Sequence, residues 1–144
     1  MPTPLTIPCP HCNSRNRIPS ALLGDPPRCA RCNSPRLLSQ PFARNASNYA
    51  SQIQGELPLL VDVWASWCGP CQAFAPIFNQ AAGQLQGRCR LAKLDSEANQ
   101  QLAGQLGIRS IPSLILFKDG QEVARQSGAM ALPKLLAWLR QQGI

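Results

Sequence analysis

The chain has 144 residues, 44% of them hydrophobic and 15% charged, with seven cysteines and a formal net charge of +7. That length supports one ordinary core with at most a small satellite, so two full-sized domains are excluded. The most apolar stretches, LPLLVDVWASW and IPSLILF, are too short to span a bilayer, and MPTPLTIPCPHC lacks the basic-then-apolar order of a secretory signal. A soluble cytoplasmic protein with no membrane partner is expected. Thiols stay reduced in that compartment, which directs the cysteines toward metal binding or catalysis.

The chain changes character near residue 37, which sets an expected four-cysteine zinc-binding module over 1–36 and a larger domain over 37–144. Residues 1–36 hold eight prolines and no Phe, Trp or Tyr, so they cannot bury a core of their own and need a staple. CPHCNS at Cys9 is repeated as CARCNS at Cys29, with sixteen residues between the two cysteine pairs. In each copy the second cysteine precedes an Asn, which tolerates the left-handed conformation, and then a Ser. Such a tight reversal brings both sulfurs of a pair onto one ion, and the spacing is that of a zinc site. One Zn2+ held by Cys9, Cys12, Cys29 and Cys32 is therefore expected, in a small zinc-ribbon or zinc-knuckle fold. Four sulfurs complete the tetrahedron and leave no position for water, so the metal reads as structural or redox-sensitive, and His11 is expected to face solvent. Such a centre lowers the formal charge by two. Arg15, Arg17, Arg28, Arg31 and Arg36 around it read as counter-charges and solvated surface. No aromatic residue accompanies them for base stacking, so nucleic-acid binding is not expected.

From about residue 43 the pattern is that of a packed α/β domain. Asn45 and Ser47 offer N-caps for a short helix through Tyr49 and Ile53. PLLVDVWA is apolar on both alternating sets, as a strand buried on both faces reads. Phe74, Ile77, Phe78, Ala81 and Leu85 then recur at helical spacing, interrupted by Pro76, which should kink the helix. RCRLAKLD reads as a strand, and a helix from about Glu97 should end at Gly107, a good C′ residue. SLILF, the Asp119-Gly120 turn and QEVARQS form an expected hairpin. A last helix from around Pro133 presents Leu132, Leu135, Leu136 and Leu139 on one stripe and stops near Gly143. The order predicts a central mixed β-sheet flanked by helices.

A third CxxC, Cys68 and Cys71 in WCGPC, lies between the buried strand and the first long helix. The next four residues, Gln-Ala-Phe-Ala, favour helix over a knuckle turn, and Pro70 suits a first helical turn. Cys68 then sits where unpaired N–H groups and the helix dipole favour an anionic sulfur, lowering its pKa and making it the nucleophile. Cys71 joins the inward stripe with Phe74 and Phe78, so it should be shielded and act as the resolving thiol. Asp62 in LLVDVW has apolar neighbours on both faces, so its pKa should be raised, which suits proton transfer near neutral pH. Cys89 reads as a small core residue, and Trp64 as packing. On its own, Pro112 reads as an ordinary trans proline at a strand start.

VDVWASWCGPC, Pro76, IRSIPSLILFKDG and Gly128-Ala129 together resemble the thioredoxin family over about residues 43–142. The four-cysteine segment is similar to that of the zinc-binding second thioredoxins of bacteria. The resemblance implies a thioredoxin fold, a Cys68–Cys71 redox disulfide and a protein-disulfide reductase. It assigns Asp62 the role of accepting the Cys71 proton through water, with Lys93 close by. It makes Ile111-Pro112 a cis peptide facing the disulfide, with the Ile111 backbone pairing an extended substrate strand. Trp67, Gly69, Pro70, Gly128 and Ala129 match the rim of the same shallow surface. It further implies no bound organic cofactor and electrons from NADPH through thioredoxin reductase. The implied substrates are disulfide-containing proteins such as peroxiredoxins, methionine sulfoxide reductase or ribonucleotide reductase, met by a monomer. Two departures stand against the family pattern: SIPS replaces Ile-Pro-Thr, and Asp95 stands where many relatives carry Asn. The alternative is a zinc-ribbon interaction or redox-sensing protein that uses the larger domain as a scaffold, although a scaffold has no need of WCGPC, Asp62 and Pro112 together.

Overall fold

The apolar run LLVDVW forms the central strand of the sheet, as burial on both faces requires. The computed structural model describes residues 5–18, 28–29, 31–32, 42–44 and 57–144. Its elements are, in chain order, β1 (Leu5–Pro8), β2 (Arg15–Ile18), β3 (Phe42–Arg44), β4 (Leu59–Trp64), α1 (Gly69–Leu85), β5 (Arg90–Asp95), α2 (Gln100–Gln105), β6 (Ser113–Lys118), β7 (Gln121–Ser127) and α3 (Leu132–Gln141). One mixed sheet runs β3-β5-β4-β6-β7, parallel across β3, β5 and β4 and antiparallel across β4, β6 and β7.

Alternation along β4 sorts its side chains onto two faces. Leu60 joins Phe74, Phe78, Leu85 and Leu139 on the face covered by α1 and α3. Leu59, Val61 and Val63 join Leu102 and Ile115 on the face that carries α2. Asp62 thus alternates onto the α1 face with Leu60, and Cys71 is one of the buried residues of α1. The hairpin between β6 and β7 turns at Asp119 (φ 52°) and Gly120 (φ 82°), two left-handed residues as a type I′ turn demands.

Helix α2 is shorter than its sequence suggests, starting at Gln100 rather than near Glu97. The Asp95 carboxylate accepts the backbone N–H groups of Glu97 (2.9 Å) and Ala98 (3.3 Å), and this local alternative holds the chain in turns before the helix begins. Gly107 (φ 69°) ends the helix in the left-handed conformation, as expected. The helix expected over Tyr49 and Ile53 lies outside the described residues.

Neither β3 nor the β1–β2 pair was anticipated. In the proline-rich segment, β1 and β2 pair antiparallel with Ile7 opposite Asn16 and Leu5 opposite Ile18. Ile7 and Ile18 turn inward and pack on Leu57, a third apolar side chain supplied by the stretch leading into β4. The Leu57 carbonyl accepts from the buried Arg90 guanidinium, at 3.3 Å from Nε and 3.1 Å from Nη2. The Arg90 backbone N–H reaches Pro58 O at 2.7 Å. Leu57 therefore meets the hairpin with its side chain and the sheet with its carbonyl. Among the described residues, no helix is long and apolar enough to cross a membrane.

Candidate functional site

Strand β4 delivers the chain to Cys68, which is the N-cap of α1 and adopts extended backbone angles there. Pro70 occupies the first turn of the helix, where its missing N–H leaves no bond unmade. Cys68 and Cys71 are joined as a disulfide with their Cα atoms 5.2 Å apart. The Cys71 backbone N–H donates to the Cys68 sulfur at 3.2 Å. Burial does not separate the two cysteines, which are 4% and 3% exposed; the capping geometry does. Ala65, Cys68 and Cys71 form a small cluster with Trp64 and Ile111 packed against it.

Asp62 is 1% exposed, and neither carboxylate oxygen has a hydrogen-bond partner among the described residues. Burial pushes its pKa up to about 7, against a partial counter-effect from the positive charge of Lys93. Lys93 stands directly across from Asp62 in the β4–β5 register, with its ammonium 4.9 Å from the centroid of the Trp64 ring. Trp64 is thus a packing residue that also carries a cation on its face. Cys89 lies in the α1-side core, and burial raises its thiol to about 12, in keeping with an inert core cysteine.

The Ile111-Pro112 peptide is cis, and the Ile111 carbonyl lies 3.7 Å from the Cys68 sulfur. Gly128 (φ 91°) donates its N–H to Pro112 O at 2.8 Å, a conformation that an L side chain rarely adopts. Gly69, Pro70 and Ala129 are exposed beside the dithiol's helix and this loop. Trp67, 66% exposed, donates its indole N–H to the Glu97 carboxylate. A groove of about 360 Å³ extends from Trp67 and Ile111 over Ala103 and Gly104. Sequence reading missed Glu97 and Arg125; the serine that SIPS places after Pro112 is Ser113, whose hydroxyl donates to Ser110 O. The one signal for Glu97 was a carboxylate two residues after a strand end, which is not specific without the fold, and nothing beside Arg125 in the chain marks it.

The four amino-terminal thiols converge. The sulfurs of Cys9, Cys12, Cys29 and Cys32 all lie within 4.8 Å of one another, with Cys9 to Cys32 at 3.6 Å and Cys12 to Cys29 at 3.7 Å. Tetrahedral bonds of about 2.3 Å place sulfurs about 3.8 Å apart, so the cluster can hold a metal ion. Donors surround it as they do metal-bound thiolates: His11 N–H on Cys9 at 3.4 Å and the Asn16 amide on Cys29 at 3.5 Å. Asn13 is left-handed (φ 64°), the conformation its place after the first knuckle predicted, and its N–H closes the turn on Cys9 O at 2.9 Å. His11 is exposed and outside the cluster.

A CxxC at a helix start, a buried carboxyl on the strand that leads to it and a backbone edge beside the first sulfur define a thiol–disulfide oxidoreductase of α/β architecture. The thioredoxin family model matches residues 40–141. Thioredoxin C-3 of Corynebacterium nephridii is 41% identical over 139 residues, covering 96% of this chain and 95% of that protein. Thioredoxin of Pseudomonas aeruginosa is 40% identical over 95 residues, covering 66% and 88%. The crystal structure of the Malassezia sympodialis thioredoxin Mala s 13 superposes with a TM-score of 0.64 at 29% identity, covering 69% of this chain and 87% of that one. The chain belongs to the thioredoxin family, and its enzymatic class is that of a thioredoxin-type disulfide reductase. Family membership implies disulfide-containing protein substrates and a reductase partner.

Proposed function

We propose that Cys68 is the attacking thiolate and Cys71 the resolving thiol of a reductase domain over residues 37–144, preceded by a zinc-stapled module over 1–36. The observation that carries the assignment is Cys68 at the N-cap of α1 with the Cys71 N–H on its sulfur. Helix-start N–H groups stabilise a sulfur anion there. The Cys68 thiolate attacks one sulfur of a substrate disulfide, forming a mixed disulfide and expelling the other sulfur as a thiolate that takes a proton. Cys71 then loses its proton and attacks the Cys68 sulfur, releasing the second substrate thiolate and leaving the enzyme oxidised by two electrons. The Ile111 backbone edge receives the extended substrate, and Trp67, Gly69, Pro70, Pro112, Gly128 and Ala129 form the rim around it. The direct test is electron transfer from NADPH through thioredoxin reductase to a disulfide-bonded protein; no transfer with the full-length wild type rejects the reading.

Asp62 is the acceptor of the Cys71 proton, with Lys93 favouring the charged form that results. Its burial without a partner and a pKa near 7 suit it to taking and returning a proton at neutral pH. Asp62→Asn should slow resolution of the mixed disulfide about 10-fold or more at pH 7 while leaving its formation near the wild-type rate. Equal slowing of both steps, read by quenched-flow mass analysis, removes the role.

The same group makes stability depend on pH. Between its ordinary value of 3.8 and about 7, the folded protein holds a proton that the unfolded chain has lost, so stability falls as pH rises through that window and levels above it. Wild type should be more stable at pH 5 than at pH 8 by about 2–3 kcal/mol in denaturant unfolding, and Asp62→Asn should lose most of that difference.

Four thiolates and no other ligand suit one zinc in a closed structural site, and the ion would supply cohesion rather than chemistry. Cys9, Cys12, Cys29 and Cys32 would hold it. Peroxiredoxins, methionine sulfoxide reductase and ribonucleotide reductase are the proposed substrates. The protein is proposed to act as a cytoplasmic monomer with no organic cofactor of its own.

A further inference from the structure

We propose that Arg125 of β7 is a positioning residue that holds the substrate-pairing edge at Ile111 in place, an inference that rests on the reductase reading above. The segment Leu106–Pro112 leaves α2, turns at Gly107 and brings the Ile111 carbonyl beside the Cys68 sulfur. A helix end leaves its last carbonyls without intrahelical donors. Here those of Leu106 and Gly107 accept from the Arg125 guanidinium, at 2.7 Å from Nη2 and 3.5 Å from Nη1. Glu122 fixes the guanidinium from another side, with Nε to Oε2 at 2.9 Å and Nη2 to Oε1 at 2.8 Å. A planar fork with several fixed donors is suited to holding a carboxylate and two carbonyls at once, and an ammonium is not.

The other end of the segment is tied to the same part of the chain. Gly128, one residue beyond β7, donates to Pro112 O at 2.8 Å. In the β6–β7 register Arg125 stands opposite Ile115 and Ser127 opposite Ser113. One strand therefore sets both ends of the segment and the span between them. Exposed ion pairs such as Arg125–Glu122 add little to fold stability. Their leverage here lies in pre-ordering: a substrate strand that meets a fixed edge does not have to order the loop as it binds.

The test uses full-length wild type, Arg125→Ala and Arg125→Lys with insulin as the disulfide-bonded probe. Arg125→Ala should raise KM about 3- to 10-fold with kcat within about 2-fold, the signature of lost binding rather than lost chemistry. Alkylation of reduced Cys68 by iodoacetamide should stay within about 2-fold of wild type, and Arg125→Lys, with one point charge to offer, should fall between. An unmoved KM, a fall in kcat alone, or an alkylation rate that drops in step with turnover overturns the proposal. Wild type that fails to reduce insulin would reject the reductase reading itself; wild-type turnover with an unmoved Arg125→Ala KM rejects only the role of Arg125.

Discussion

Full-length protein with Cys68→Ser should turn over no protein disulfide above background, a loss of at least about a thousandfold, whereas Cys71→Ser should attack once and stay attached to its substrate. The asymmetry follows from position at the start of α1, not from accessibility, since the two cysteines are almost equally covered. A serine hydroxyl at position 68 stays protonated at neutral pH and has no comparable nucleophile to offer the substrate sulfur. Removing only the resolving thiol leaves the first exchange intact and blocks the second, so the covalent adduct accumulates. Coupled NADPH consumption measures the first effect, and intact-protein mass, before and after thiol reduction, measures the second. Turnover by Cys68→Ser, or an adduct on Cys71 in place of Cys68, would reverse the assignment.

The second large effect concerns the amino-terminal thiols. Full-length protein should carry one zinc per chain, and Cys9→Ser/Cys29→Ser should carry less than about a tenth of that by elemental analysis, since structural sites need their full tetrahedron. The hairpin around the site buries three apolar side chains, Ile7, Ile18 and Leu57, each stabilising by about 1.5–3 kcal/mol. Ordering costs about 1–2 kcal/mol for every backbone residue fixed, so this cluster cannot hold the segment, whereas structural zinc binding supplies about 10–16 kcal/mol. Amide exchange at Cys9 and Asn13, both bonded within the first knuckle, should lose its protection in the variant. Turnover at Cys68 should stay within about threefold, because the dithiol and its packing shell draw on β4, α1 and the Ile111 loop. Zinc retained by the variant, or turnover lost with the metal, contradicts this division of labour.

Features with a local cause were legible in the sequence. The Asp119-Gly120 turn, the Gly107 helix stop, Pro70 in a first helical turn and the left-handed Asn13 each arise from the properties of a few adjacent residues. Continuous apolarity in LLVDVW likewise announced a central strand, and the lone carboxylate within it announced a raised pKa. The features that stayed hidden depend on register between distant segments. Arg125 reaches Leu106 only because β7 pairs with β6 in a particular alignment, and nothing around Arg125 in the chain marks it. Glu97 meets the Trp67 indole only because Asp95 diverts the chain into turns before α2. The β1–β2 pair escaped notice because four-residue strands beside prolines show too little alternation to read, and their inward residues find their partner at Leu57, far along the chain.

That remote partner makes truncation and metal removal two different injuries. A chain without metal at its four cysteines would still carry Ile7 and Ile18, the side chains that pack on Leu57. A chain begun after the cysteines would not, and Leu57, whose carbonyl accepts from Arg90 before the central strand, would lose that cover. Exposing one leucine forfeits about 1.5–3 kcal/mol, and that loss falls on the sheet, the body that carries the dithiol. The β1–β2 pair is in this sense a lid on the floor of the enzyme, covering Leu57 at the opposite end of β4 from the reactive sulfurs.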